Sequence, residues 1–327
     1  MIAAKKQLRR GGKISGGEGF RKLLQADGGD NILGFVGKNL ILFITLAAAV
    51  ITTLFAPITR FPANDIIAKV GLVFAFLTAQ AGLKKGNADR FLTSLFALLP
   101  DRFKFFTPLI IIVTSFIFGA VFTPLGAVLL IIPAITPLCK AWHKTALLFA
   151  LCLGAVVSSS GELISPAYTL HNVLPLALVG LCICTSLSLL IGKPETAILD
   201  KKPVDIVTVS IYFVAFILCV LTAFGILSII ICICSVVLAA VILDSDNIKK
   251  IDYGLLVIIF LYAVVSWNIL RTDIIALPES SLVAAGLYTY RRYLDTTGAK
   301  PIFGLLIFIG VGVGLILVMA LSALAAI

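Results

Sequence analysis

Charged side chains are scarce in this sequence: Asp, Glu, Lys and Arg make up 13% of its 327 residues, whereas 60% are hydrophobic. A soluble protein carries roughly 25% charged residues. Several apolar runs reach about 20 residues, the length that a spanning helix needs. The shortage of charge and the apolar runs together predict an all-α, polytopic membrane protein. The weak alternating segments of a β-barrel are absent from the sequence, and no stretch leaves room for a soluble catalytic domain.

Groupings of metal-ligating residues are also lacking, although the chain has seven cysteines and two histidines. Two cysteine pairs have C-x-C spacing, Cys182 with Cys184 and Cys232 with Cys234. Soft thiolates select copper or zinc, but no His, Asp or Glu accompanies either pair, and cysteine also packs as a small hydrophobe. We therefore expect no metal, no cofactor and no disulfide framework. No nucleophile–base arrangement is evident either, so the sequence does not predict an enzyme.

The N-terminal segment has neither an apolar core nor a cleavage site, so it does not resemble a signal peptide. Residues 1–38 hold eight Lys or Arg against three Asp or Glu, which is half of the net charge of +10. The remaining charge lies in short loops, so we expect no nucleic-acid partner. Two interpretations fit this basic segment: a flexible cytoplasmic tail attracted to anionic lipid, or a segment that docks on a partner protein.

The apolar pattern divides the rest of the chain into about nine spanning helices and one re-entrant hairpin. The expected spans are 39–56, 66–83, the broken helix 144–172, 173–192, 206–224, 226–243, 253–270, 280–290 and 301–327, with the hairpin at 105–138. We interpret these as a first transmembrane repeat (39–192), a cytoplasmic linker (193–205) and a second, shortened repeat (206–327).

The distribution of positive charge supports a cytoplasmic N-terminus. Of the 26 Lys and Arg, all but Arg60, Lys69 and Arg271 fall in segments that this layout places in the cytoplasm. The positive-inside rule expects such a bias in short loops. We therefore expect an integral protein of the cytoplasmic membrane of a bacterium or archaeon.

Residues 105–138 are too long for one ordinary span and carry a break at Phe122–Gly126. Pro124 removes a backbone donor, and Gly126 loosens the turn. Basic residues flank both ends of the segment, which favours a hairpin that returns to the same side with Thr123 near its tip. If residues 105–138 formed two full spans instead, the flanking loops would lie on the same sides of the membrane. Charge alone therefore does not decide between a hairpin and two spans.

The second break follows the apolar run from Thr145 to Val157. Three serines, a glycine and a carboxylate interrupt the helix pattern there, and unwound backbone at membrane depth is tolerated only against protein or a water-filled cavity. In secondary transporters such broken helices hold the substrate or the coupling ion. The candidate binding residues are Thr123, Ser158, Ser159, Ser160, Gly161, Glu162 and Ser165.

Each candidate also has a plainer interpretation. Glu162 is costly at membrane depth if it is charged, but at 1.5 Å per residue it can also reach the outer interface and be solvated. Membrane serines often pack helices closely and bond their own carbonyls. For Thr123, the plainer interpretation is that the break is a kink in the helix with nothing bound.

The order of elements resembles the ion transporter superfamily, which includes arsenite permeases, sodium/proton antiporters of that type, and citrate and dicarboxylate carriers. Two spans lead to a basic loop, an apolar hairpin with Phe122-Thr123 at its break, and a broken helix. The motif at Ile251–Leu256 resembles the family's Val-Asp-Tyr-x-Leu-Leu helix start, and Tyr288–Leu294 resembles its late Tyr-Lys-x-Tyr helix end. The resemblance implies inverted repeats with a site between two hairpins and two broken helices.

This sequence departs from the family at several of those points. Pro124 and Leu125 stand where polar tip residues are usual, and residues 158–162 replace the family's Asn-Pro motif. The second hairpin is missing between Leu270 and Leu282, so the inverted repeats are incomplete and half of the usual site is absent.

Two functions from different classes follow from these observations. The polar break favours a secondary transporter of a small ion, an anion moved with Na⁺ or H⁺. The missing hairpin favours a transporter-derived subunit that serves as scaffold or anchor in a larger membrane complex. A homodimer would fit the family in either case, and the lipid bilayer is the common partner.

Overall fold

The computed structural model describes residues 30–55, 63–97, 103–138, 142–159, 170–192, 203–243, 246–249, 251–270 and 277–297. Every regular element in these residues is a helix, which confirms the all-α prediction. The first six helices are α1 (Asp30–Phe55), α2 (Ala63–Lys85), α3 (Ala88–Ala97), α4 (Thr107–Val121), α5 (Pro124–Ile135) and α6 (Trp142–Ser159). The last six are α7 (Leu170–Ser188), α8 (Ile206–Ala223), α9 (Ile229–Leu243), α10 (Asp246–Lys249), α11 (Tyr253–Leu270) and α12 (Leu277–Thr297). Single 3₁₀ turns precede α4 and follow α5, at Lys104–Phe106 and Thr136–Leu138.

Three segments in the described residues are long and apolar enough to cross a membrane: Ile66–Lys85, Lys104–Val121 and Ile206–Ala223. Six shorter apolar helices accompany them. Large apolar side chains lie on the outside of the molecule, for example Leu54, Ile206 and Ile230, as lipid-facing residues do. These features fit a helical membrane protein. The count of nine spans, the re-entrant hairpin and the inverted repeats stay predictions, and the expected last span lies outside the described residues.

The break between α4 and α5 occupies only two residues. Phe122 and Thr123 are extended, with ψ values of 167° and 158°. Pro124 stands at the first position of α5, where its missing N–H is no loss because that donor has no partner within the helix. The Thr123 hydroxyl accepts a hydrogen bond from the N–H of Gly126 at 3.3 Å and so caps the new helix.

Helix α5 is short and lies at the centre of the molecule. Its 12 residues make it about 18 Å long at 1.5 Å per residue. All of them except Leu130 are buried, and the helix packs against α2, α3, α4, α6 and α12. At its far end the Thr93 hydroxyl of α3 donates to the carbonyl of Ala134 at 2.7 Å. A helix that is apolar on every side is covered either by protein or by lipid, and in α5 protein covers all but Leu130.

Two hydrophobic clusters meet on α5. Ile131 and Ile132 belong to a cluster built mainly from α4, α5 and α6. Leu125 and Leu129 belong to a second cluster, built mainly from α2, α8, α9 and α11. The Thr123 side of the break is therefore covered by protein, whereas Val121 on its α4 side is 57% exposed.

Candidate functional site

The break at Thr123 is buried among aromatic rings. Thr123 is 2% exposed. The Phe216 ring lies with its centroid 5.8 Å from that of Phe122 and 5.4 Å from that of Phe76. A Cβ added to Gly126 would lie 3.3 Å from both Phe216 and Phe76. The first turn of α5 is therefore packed tightly against this aromatic group.

The end of α6 lies against the last turn of α4, one turn before the break. A Cβ added to Gly119, four residues before Thr123, would overlap the Ser159 hydroxyl and lie 2.7 Å from the carbonyl oxygen of Val156. Ser159 is 5% exposed, and its hydroxyl donates to that Val156 carbonyl at 3.1 Å. The structure thus places Ser159 against α4 near Gly119, whereas the first turn of α5 beyond the break faces Phe76 of α2 and Phe216 of α8.

Ser158 points to a different neighbour. Its hydroxyl donates to the carbonyl of Ala155 at 2.9 Å. A Cβ added to Gly180 of α7 would lie 2.6 Å from the Ser158 Cβ. Ser158 therefore lies between α6 and α7, whereas Ser159 lies between α6 and α4. The predicted residues Ser160, Gly161, Glu162 and Ser165 lie outside the described residues.

The hydroxyl groups at the break differ in the hydrogen bonds that they can still form. Ser158 and Ser159 donate their hydroxyl protons to carbonyls of their own helix. Their oxygen lone pairs stay available, so each hydroxyl could bind a sodium ion or accept a hydrogen bond. The Thr123 oxygen accepts from Gly126, and among the described residues nothing accepts the Thr123 O–H. That group could donate to an anion.

The structure also reveals a polar cavity that the sequence analysis missed. It has a volume of about 380 Å³ and lies between the end of α2, the start of α11 and the last turns of α12. Four cationic side chains line it: Lys84, Lys85, Arg291 and Arg292. Of the acidic residues that the structure describes, Asp252 alone lines it.

Short polar contacts order the wall of this cavity. The Arg291 Nε lies 2.9 Å from Oδ2 of Asp252, and Oδ1 of Asp252 accepts from the N–H of Leu255 at 3.1 Å. The Gln80 amide donates to the Tyr288 hydroxyl at 3.2 Å. The two motifs that carry the family resemblance in the second half, 251–256 and 288–294, thus meet here through Asp252 and Arg291.

Segments that the charge pattern assigns to one side of the membrane lie together at this end. The N–H of Asp205 donates to the Gly86 carbonyl at 3.2 Å, and the Asn87 amide donates to the Pro203 carbonyl at 3.1 Å. Asp252 and Arg291 lie at the same end, because they line the cavity together with Lys84 and Lys85. The clue in the sequence was the presence of two dibasic pairs, 84–85 and 291–292, at helix ends on the same predicted side.

Four of the six cysteines in the described residues are buried. Within each C-x-C pair one cysteine is buried, Cys184 or Cys232, and the other is exposed. Cys232 instead faces Cys219 of α8, with the two sulfur atoms 3.6 Å apart. No group of three or more His, Cys, Asp or Glu that could hold a metal ion occurs within the described residues.

Comparisons with known proteins do not bear on these assignments. No family model, curated protein or solved structure matches the chain. The resemblance to the ion transporter superfamily therefore rests on the sequence motifs alone. Function has to be inferred from the geometry and charge of the described residues.

Proposed function

We propose that this chain is a secondary transporter of a small anion, moved together with Na⁺ or H⁺, and that its binding site lies at the α4–α5 break. The observation that carries the proposal is the extended backbone at Phe122 and Thr123, where Thr123 is buried and Phe122 is half-buried. Non-helical backbone inside a membrane protein is found where it is buried in protein or lines a cavity. Broken helices of this kind hold solutes in secondary transporters.

The proposed roles of the residues follow from their remaining hydrogen-bonding capacity. The Thr123 O–H would donate to the anion, at a helix N-terminus whose dipole also favours negative charge. The oxygens of Ser158 and Ser159 would accept from a donor or coordinate Na⁺. Glu162, which the sequence places just beyond Ser159, would carry the coupling proton or bind the coupling cation.

We further propose that α4 and α5 form a re-entrant hairpin. Helix α5 is about 18 Å long at 1.5 Å per residue, whereas the hydrocarbon core of a bilayer is about 30 Å thick. Its far end is bonded to α3 through Thr93 and Ala134, in the basic region that the charge pattern assigns to the cytoplasm. The hairpin would gate the site as one half of the molecule moves against the other.

One observation favours the second candidate, a non-transporting scaffold subunit. Gly119 and Gly180 bring α4 and α7 into close contact with Ser159 and Ser158, and this is the small-residue packing that membrane helices use to associate. If that packing is permanent, the serines are structural. The chain would then anchor a partner, with the basic segment 1–38 as the docking region.

Tracer flux distinguishes the two candidates. Purified protein in liposomes should accumulate an anion, tested across phosphate, arsenite, sulfate and dicarboxylates, under an imposed Na⁺ or H⁺ gradient. Ser159→Ala and Thr123→Val should each lower this uptake by about tenfold, because each removes a polar group that the bound solute needs. Glu162→Gln should abolish the dependence on the gradient.

The matched control is Ser188→Ala. Ser188 ends α7 as Ser159 ends α6, is similarly buried, and donates its hydroxyl to the carbonyl three residues earlier. Uptake should survive this change. Absence of flux for every anion tested, with a partner protein that stays bound through purification, would favour the scaffold instead.

A further inference from the structure

The cavity at the ends of α2 and α12 has an excess of positive charge. Among the described residues, Lys84, Lys85, Arg291 and Arg292 line it together with one carboxylate, that of Asp252, so this lining carries a formal excess of three positive charges. Asp252 already receives the Arg291 Nε and the N–H of Leu255. Such a concentration of like charge around one concave space raises the local concentration of anions.

The guanidinium of Arg291 is held in a defined position. Asp252 fixes it through Nε at 2.9 Å. A Cβ added to Gly254 would lie 2.6 Å from one terminal nitrogen of Arg291 and 3.3 Å from its central carbon, so the group packs flat on the bare backbone of Gly254. An arginine fixed through Nε keeps its terminal N–H groups for a ligand, and an ordered fork suits oxyanions.

We propose that this cavity is a binding site for a phosphate group that carries a small polar substituent, either a soluble phosphate ester or phosphate, or the headgroup of an acidic phospholipid. The site is separate from the α4–α5 break, and its existence does not depend on transport there.

The charge and size of the cavity favour a phosphate group over a carboxylate. A phosphate monoester carries about −1.5 to −2 charges at neutral pH and offers three acceptor oxygens, which suits several cations better than a monocarboxylate does. A volume of about 380 Å³ falls within the range of about 300–1,000 Å³ for small-molecule sites, so it leaves room beyond the phosphate itself. The Gln80 amide and the Tyr288 hydroxyl, which bond each other at 3.2 Å, supply neutral polar groups for that remainder.

The location allows a ligand from either source. The cavity lies at helix ends where the predicted cytoplasmic segments meet, and basic pockets between membrane helices on that side bind lipid headgroups. The same position is open to phosphates dissolved in the cytoplasm.

Two arms of one experiment separate these sources. In the first, inorganic phosphate is titrated calorimetrically into the full-length chain in nanodiscs of phosphatidylcholine, with chloride at equal ionic strength as the blank. In the second, the chain is placed in nanodiscs that also contain phosphatidic acid, and lipid retained after extraction is measured by native mass spectrometry. Saturable phosphate binding indicates a soluble ligand, whereas retention of phosphatidic acid alone indicates a lipid; either result supports the site if the variants respond.

Arg291→Gln should weaken binding about tenfold, because hydrogen bonds to charged groups stabilise by about that factor. Since this change also removes the partner of Asp252, the double variant Lys84→Gln/Lys85→Gln provides a second test. Both lysines are exposed, so the fold should persist while binding falls severalfold.

The control is Lys249→Gln, which removes one exposed positive charge beside the cavity without changing its lining. Binding should change by less than about twofold, as expected for a screened surface charge. The proposal is overturned if neither ligand binds, or if Lys249→Gln weakens binding as much as the lining variants do.

Discussion

At the scale of single residues, polar side chains fix where helices begin. Thr123, Asp205 and Asp252 each precede a helix and accept a hydrogen bond from the backbone N–H three residues later. These caps satisfy donors that the first turn leaves without partners. Helix starts marked by Thr, Asp or Pro just before an apolar run could therefore be read from the sequence.

Asp205 gives a prediction about pH. The Thr208 hydroxyl donates to its carboxylate at 2.6 Å and the Thr208 N–H donates at 3.3 Å; these two bonds, with Lys85 as a smaller contributor, lower the pKa of Asp205. Because the folded-state pKa is the lower one, the cap stabilises the protein above the ordinary carboxyl pKa. That contribution is lost as the pH falls through the lowered value.

The measurement is the melting temperature of the detergent-solubilised protein as a function of pH, compared with Asp205→Asn. Asparagine keeps a capping oxygen but does not ionise. The gap between wild type and variant should be present at neutral pH and close in strongly acidic buffer. A gap that stays constant across the acid range would show that the charge of Asp205 plays no part.

At the scale of helices, glycines set how closely neighbours approach. Gly82 and Gly86, spaced as in the small-residue motif of membrane helices, lie where the end of α2 meets α8. A Cβ added to Gly82 would overlap the fully buried ring of Tyr212. The ring therefore occupies the space that the missing side chain leaves.

Gly82→Ala should consequently destabilise the packing of α2 on α8. Alanine favours a helix by up to about 1 kcal/mol over glycine, but overpacking a tight contact costs about 1–3 kcal/mol, so we expect a net loss of stability. Thermal melting in detergent should show a lower transition temperature. The control is Gly154→Ala, whose Cβ would meet only the Cys184 sulfur, at 3.3 Å; equal melting of both variants would contradict this account.

The breaks within helices were easier to predict than the contacts between helices. Pro124 and Gly126 mark the end of α4 locally, because these residues act on their own backbone. The predicted break at 158–162 runs into residues outside the described ones and stays a prediction. The basic cavity joins Lys84 to Arg291 over a long sequence separation, and nothing local in the sequence specifies that pairing. For the same reason Gly82 could not be assigned to Tyr212, or Gly86 to Val209, in advance.

At the scale of the whole molecule, the position of α5 determines how the two hydrophobic clusters are connected. The helix contributes to both clusters, and its N-terminus at Thr123 follows Gly119, which contacts the end of α6, by four residues. The sequence indicated an apolar hairpin here, but its central place depends on packing against α2, α3, α6 and α12. Under the proposed transport function, movement of one cluster against the other would open the tightly packed break, as alternating access requires.

The most direct test of the transport proposal asks whether aqueous anions reach the end of α6. In proteoliposomes, Ser159→Cys in a background without other cysteines is treated from both faces with a small anionic methanethiosulfonate reagent. The reference protein keeps only the native Cys152, which is buried on α6 two turns earlier. Cysteine at position 159 should be modified, and Cys152 should not; equal resistance of both thiols to the reagent would contradict a water-accessible site at the break.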